Sequence, residues 1–124
     1  MSEEELATAE ALFTRPHTKG GYHPCRLHFT KERLFGSSTS ERRDSGSAKW
    51  ISTFSVRYSD ITELWLGRFI KVRELGIRFR TAKTHWWNST GRQGFVILKE
   101  EEFVRLQSLL PSLLPQSVKL RLPD

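Results

Sequence analysis

Residues 26–36 read Arg-Leu-His-Phe-Thr-Lys-Glu-Arg-Leu-Phe-Gly, and this stretch decides the fold. Apolar residues alternate with polar ones on both sides of a charged, turn-prone centre at residues 30–33. Because successive side chains of a strand point to opposite faces of a sheet, the pattern predicts two short strands. The stretch is therefore expected to form a β-hairpin that Gly36 ends.

The same two-residue period continues on both sides of this hairpin, from residue 22 to 98. It is clearest over residues 50–58, where Trp50, Phe54, Val56 and Tyr58 share one face. Further strands are expected at 61–66, across 69–80, at 86–87 and at 95–98. Gly67 predicts a bend, and Gly76 predicts a break between two strands or a bend in one. Residues 36–48 are rich in Gly and Ser and predict a mobile loop.

Both ends of the chain show helical spacing instead. Residues 2–14 place Leu6, Ala9 and Phe13 on one face, which predicts a short N-terminal helix. After three glutamates at 100–102, the apolar stripe from Phe103 to Leu113 predicts an amphipathic helix. Pro111 is expected to end or kink that helix. Residues 118–122 alternate again and are expected to form either an edge strand or a tail.

This order of elements resembles the PH-like superfamily, in particular GRAM and bacterial PH-like domains. Residues 27–35 are similar to the opening hairpin of GRAM domains, and residues 58–61 resemble the turn before their fourth strand. Phe103 and Leu106 resemble the start of their closing helix. The resemblance covers residues 22–114 and implies a mainly β (α+β) fold. Its form would be a partly open antiparallel barrel of about seven strands, capped by a C-terminal helix and here preceded by the short N-terminal helix.

The length of 124 residues predicts a single domain with one core. Within residues 1–124 we expect an N-terminal helix and linker over 1–19 and the β-barrel over 22–98. The capping helix would span 100–114 and a tail 115–124. The acidic N-terminus lacks the basic and apolar regions of a signal peptide, and no apolar run is long enough to cross a membrane. These features predict a cytoplasmic protein, either free or peripheral at the inner face of a membrane.

The charge distribution points to an anionic partner. The chain carries a net charge of +6, and residues 15–99 hold 17 Lys/Arg against 6 Asp/Glu. A basic body of this kind favours lipid head groups, nucleic acid or an acidic protein as partners. A basic surface that serves only solubility explains the same charge equally well.

Three cations are the predicted anion site. Lys31 and Arg33 lie in the turn of the first predicted hairpin, and Arg92 lies in a glycine-containing turn over residues 89–94. Backbone N–H groups of such a turn can converge on an anion, and arginine adds charge. If the barrel is PH-like, both turns would share its open end. A plain hairpin turn is the simpler explanation of residues 89–94.

Trp86 and Trp87 are the predicted interface residues. Adjacent residues of a regular strand point to opposite faces, so one of the two tryptophans is expected outside the core. An exposed tryptophan can anchor a protein partner or lie at a membrane surface. Equally, the predicted N-terminal helix could cover it. Aromatic residues interleaved with arginines can also stack bases, which makes single-stranded nucleic-acid binding the alternative function.

Catalysis and metal binding find little support in the sequence. It contains no nucleophile elbow, phosphate-binding loop or dinucleotide fingerprint, so no catalytic residue and no cofactor is assigned. His17, His23, Cys25 and His28 lie close together but do not have the spacing of a known zinc site, so no metal is assigned either. We therefore expect a non-enzymatic PH-like binding or adaptor module that recognises a protein partner or an anionic membrane surface.

Overall fold

The computed structural model describes residues 4–13, 23–39, 51–80 and 91–123. This part of the chain forms eight strands and a C-terminal helix. The strands are β1 (Ala7–Phe13), β2 (His23–Phe29), β3 (Arg33–Ser38), β4 (Ser55–Arg57), β5 (Ile61–Phe69), β6 (Val72–Phe79), β7 (Arg92–Ile97) and β8 (Lys119–Arg121). The helix is α1 (Glu100–Leu113), and Tyr58–Asp60 form a 3-10 turn between β4 and β5.

All eight strands belong to one mixed sheet that is not closed. Their order is β4-β3-β2-β1-β7-β6-β5-β8, and every neighbouring pair is antiparallel except β5 and β8. The sheet curls round one continuous core whose largest members include Phe13, Phe29, Phe95 and Phe103. The prediction of a mainly β fold with a C-terminal helix is confirmed at this level.

The N-terminal helix predicted over residues 2–14 is wrong. Residues 7–13 instead form β1, which pairs with β2 on one side and with β7 on the other. The side chains of Ala7, Ala9, Ala11 and Phe13 alternate into the core, and a helix would not bury them this way. Alanine favours helices in isolation, but pairing on both edges outweighs that preference here. The hairpin at residues 30–33 consequently joins the second and third strands.

The C-terminal helix closes the core as predicted. Phe103, Leu106 and Leu110 are fully buried on one face of α1. The helix does not end at Pro111 but runs to Leu113, because a proline in the last turn removes only one backbone hydrogen bond. Of the two alternatives for residues 118–122, the edge strand is observed, as β8 pairs with β5.

Two boundaries in the middle of the chain differ from those predicted. β3 continues to Ser38, so the predicted loop over 36–48 begins later, and its residues 40–48 lie outside the described chain. Gly36 lies within β3, where it pairs with Leu27. The Ile51 side chain packs against it, since a Cβ at position 36 would lie 2.6 Å from the Ile51 Cδ1. The strand expected over 50–58 is shorter: residues 51–53 are helical, and only Ser55–Arg57 are extended.

The β5–β6 hairpin turns at residues that carry no turn signal. Neither Gly67 nor Gly76 breaks a strand, and the chain reverses at Ile70 and Lys71. Ile70 has φ of 58°, the left-handed region that β-branched residues rarely adopt. The turn was missed because nothing in its residues favours a turn.

Candidate functional site

Lys31 and Arg33 belong to a turn that is tied tightly to the rest of the protein. The buried Thr30 hydroxyl accepts hydrogen bonds from the Glu32 and Arg33 backbone N–H groups. The Tyr58 hydroxyl donates to the Thr30 carbonyl at 2.7 Å. Arg33 itself donates to Ser55 and stacks over the Phe35 ring, 4.4 Å from its centroid, while Lys31 is exposed.

Arg92 has different surroundings. It begins β7, pairs with Arg78 of β6 and lies over the Trp65 ring, 5.3 Å from its centroid. Phe29, next to the 30–33 turn, pairs with the first residue of β1, whereas Phe95 pairs with the last. The register of β1 by itself does not join Arg92 to the hairpin turn, and the convergence of the three cations stays a prediction, as does anion binding by them.

The other predicted residues divide into two groups. Trp86 and Trp87, with residues 89 and 90 of the predicted anion-binding turn, lie outside the described residues.

Cys25 is in the core, and burial raises the pKa of its thiol to about 12. His28 points the other way, where its ring nitrogens contact the Glu5 carboxylate at 2.7 Å and the Ser37 hydroxyl at 2.8 Å. Within the described ranges, no three potential metal ligands cluster.

The surface that stands out is one side of the β5, β6, β7 and β1 sheet, which we call the outer face. Burial alternates along β5 from Leu64 onwards and along β7, so one set of side chains lines the core and the other points away from it. The outer face includes Leu12, Trp65, Gly67, Phe69, Val72, Glu74, Gly76, Arg78, Arg92, Gly94 and Val96.

At one end of the outer face lies an exposed apolar tip, formed by Phe69, Ile70 and Val72. Their relative exposures are 72%, 88% and 44%, and only Leu98, Val104 and Leu122 are other large exposed apolar residues of the described chain. Lys71 lies between them at the turn itself. Single exposed apolar side chains are ordinary, but contiguous ones at a strained turn are less so, which makes the tip a candidate contact surface.

Beside the tip, the outer face carries a shallow recess that we call the trough. It encloses about 300 Å³ and is lined by Leu12, Val72, Glu74, Gln93, Gly94, Phe95 and Val96. Gly94 leaves its floor open, since a Cβ placed there would meet no atom within 4 Å. Val72 belongs to both features, so the tip and the trough are contiguous.

Trp65 fixes the shape of this face. Its ring lies flat on Gly76, where a Cβ would be 2.1 Å from the ring atoms, and its Nε1–H donates to Glu74 Oε1 at 3.0 Å. Gly76 pairs with Trp65 on one side and with Gly94 on the other. Because Gly76 has no side chain, the Trp65 ring can cover the sheet at that position. Because Gly94 has none either, the adjacent position on β7 stays open.

The arginines behind the tip are already engaged. Arg68 and Arg73 pair across the β5–β6 hairpin, and both contact the Glu100 carboxylate at the start of α1. The hydrogen bond from Arg68 is the main reason that the pKa of Glu100 is lowered. Arg73 also donates to the Ile97 and Leu98 carbonyls. This cluster joins the β5–β6 hairpin to α1. With Arg68 and Arg73 engaged in it, Lys71 is the remaining cation next to the tip in sequence.

Sequence reasoning missed both the tip and the trough. Phe69, Val72 and Trp65 read as ordinary members of alternating strands, and the glycines read as bends. Residues 69–72 contain no Gly, Pro, Asn, Asp or Ser, so no residue there indicated a turn. Had the turn been placed there, two of these residues would have been expected in solvent.

Comparison with known proteins gives a fold relationship only. No protein-family model matches the chain, and no curated protein matches it. Among solved structures, it is similar to the crystal structure of the C-terminal domain of an unknown protein from Leishmania infantum. That match has a TM-score of 0.55 and 13% identity, over 90% of this chain and 84% of the other.

The described residues also include no helix that is both long and apolar enough to span a membrane.

Proposed function

We propose that the chain is a non-enzymatic, PH-like binding module that recognises a protein partner through its outer face. The sheet order from β4 to β5 and the C-terminal helix packed into the core support the PH-like assignment. The observation that carries the function is the apolar tip, because Phe69 and Ile70 are largely exposed and Ile70 holds a backbone conformation that costs free energy.

The chemistry of the outer face favours a protein over an anionic membrane. At the tip end of the outer face Glu74 lines the trough, and Arg68 and Arg73 behind the tip are bound to Glu100. The cations Arg78 and Arg92 lie at the other end of the face, where Arg92 stacks over the Trp65 ring. An anionic lipid surface would be attracted by unopposed cations and repelled by the Glu74 carboxylate. A protein surface can match an apolar projection, an apolar recess and charges of both signs together.

Single-stranded nucleic acid is less well supported by the described residues. Base stacking needs a free aromatic face. The Trp65 ring lies on Gly76 and carries the Arg92 guanidinium over it, which leaves Phe69 as the largely exposed aromatic ring of the described residues. One such ring does not provide the row of stacking platforms that successive bases need.

Site-specific photo-cross-linking tests the proposal. A photoreactive residue at position 70 is expected to yield discrete protein adducts in cells that express the chain. The same residue at position 104, another exposed apolar position but on α1, serves as the control and is expected to yield far fewer.

Vesicle binding provides the opposing outcome. The wild-type protein is expected to remain in the supernatant when vesicles that contain phosphatidylserine are sedimented at low salt. Sedimentation that Ile70→Asp abolishes would replace the protein partner by a membrane surface. If no protein adduct forms at position 70, the proposed function is wrong.

A further inference from the structure

The outer face carries a projection and a recess that match one another. The projection is the apolar tip, with Phe69 and Ile70 mostly in solvent. The recess is the trough, which is apolar along the Leu12 and Val96 side. A two-fold dimer uses the same patch on both subunits, so this patch must be complementary to itself. A surface with a knob and a hole side by side meets that condition.

The size and floor of the trough suit a large apolar side chain. Gly94 contributes only backbone, and nothing lies within 4 Å of the position that its Cβ would take. A volume of about 300 Å³ admits an isoleucine or phenylalanine side chain. Phe69 lies on the same outer face as the trough, because it follows Trp65 and Gly67 at the two-residue period of β5. A second copy laid face to face can therefore present its tip to this recess.

The charges at the two features are opposite. Lys71 lies at the turn, and Glu74 lies on the wall of the trough, with one carboxylate oxygen accepting from the Trp65 indole. A two-fold axis that places each tip in the other trough brings Lys71 of each copy towards Glu74 of the other. The charge pair then forms twice, once at each end of the interface.

We propose that the protein forms a two-fold symmetric dimer in which the apolar tip of each copy fills the trough of the other. The inference rests on the proposed function, since it names the partner of the same outer face as a second copy of this chain. Such a contact explains why a strained turn holds Phe69 and Ile70 in solvent in a single copy.

Sedimentation equilibrium of the full chain over a wide concentration range tests the apolar contact. The wild type is expected to dimerise, and Val72→Asp is expected to raise the dissociation constant about tenfold to a hundredfold. Val104→Asp is the matched control, because the two valines are 44% and 46% exposed and Val104 lies on α1. The control is expected to dimerise like the wild type, and circular dichroism verifies that both variants fold.

A charge exchange tests the pairing itself. Lys71→Glu and Glu74→Lys are each expected to weaken the dimer, because each places like charges together at both symmetric contacts. The double variant K71E/E74K is expected to recover most of the wild-type affinity. Recovery distinguishes a direct contact from damage to the fold, since two unrelated defects would add.

The outcomes separate this inference from the proposed function. A wild type that stays monomeric at every concentration overturns the dimer, as does a dimer that Val72→Asp leaves unchanged. If the chain is monomeric but position 70 cross-links to another polypeptide, the outer face remains a protein interface and only the self-partner is wrong. If position 70 yields no protein adduct at all, the proposed function falls as well.

Discussion

Two hairpin turns of this protein reverse the chain direction by different means. The turn between β2 and β3 is closed by its own polar groups, with the Thr30 hydroxyl bound to two backbone N–H groups and Tyr58 bound to its carbonyl. The turn between β5 and β6 has an isoleucine at positive φ, two exposed apolar neighbours and no glycine. The polar groups of the first turn stabilise it, whereas the second turn combines an unfavourable backbone conformation with exposed apolar side chains.

This difference between the two turns indicates that the β5–β6 turn is the better candidate for a functional contact. In the 30–33 turn, each element has a structural explanation, and Arg33 also packs on Phe35 and bonds Ser55. In the 69–72 turn, the strain and the exposure have no partner within the described chain that would compensate them. Backbone strain that the fold itself does not need is typical of contact sites.

The largest effect is expected from removing the hydroxyl of the first turn. Thr30→Val keeps the side-chain volume but leaves the Glu32 and Arg33 N–H groups without their acceptor. We expect a loss of about 2–3 kcal/mol in the free energy of unfolding. Urea denaturation of the variant measures it. A loss below about 0.5 kcal/mol, which is the usual range for surface changes, would show that water replaces the hydroxyl.

A smaller effect is expected where the second hairpin meets Trp65. Gly76→Ala places a methyl group 2.1 Å from the indole ring, so the ring must leave its position and its bond to Glu74. The expected cost is about 1–2 kcal/mol, in the range of overpacked sites. Gly67→Ala is the control in the same hairpin, because nothing lies within 4 Å of the new Cβ. Equal thermal midpoints for both variants would contradict the observed packing of Trp65.

The strained turn itself is expected to gain stability when its strain is relieved. Ile70→Gly should stabilise the protein by about 1 kcal/mol, since glycine adopts positive φ without the Cβ clash and Ile70 buries little surface. Guanidinium denaturation at a protein concentration where the chain is monomeric measures the change. A destabilised variant would mean that Ile70 is not strained, and the contrast between the two turns would disappear.

The smallest effect is expected at the exposed cation of the first turn. Lys31→Ala should change the free energy of unfolding by no more than about 0.5 kcal/mol, as for most exposed positions. The same denaturation series measures it beside Thr30→Val. A larger loss would place Lys31 in the structure of the turn and weaken its role as a candidate anion ligand.

Much of the architecture could be predicted from the sequence because it depends on local periodicity. The hairpin at 26–36 and the helix from Glu100 are set by alternation and by the spacing of apolar residues. The anion site was predicted by assuming a particular barrel end, and β1 altered the order of strands on which that assumption rested. The interface tryptophans at 86 and 87 stay untested.

The sequence by itself determined a β-rich protein with a basic body and one closing helix, because these properties depend on composition and on period. Only the tertiary structure decided that residues 7–13 form a strand, since their alanines pair with residues 14 to 22 positions away in β2 and with β7. It alone decided that the chain reverses at Ile70, where pairing of Phe69 with Val72 overrides backbone preference. The outer face exists only in three dimensions, because it is assembled from four strands whose separate patterns show ordinary alternation.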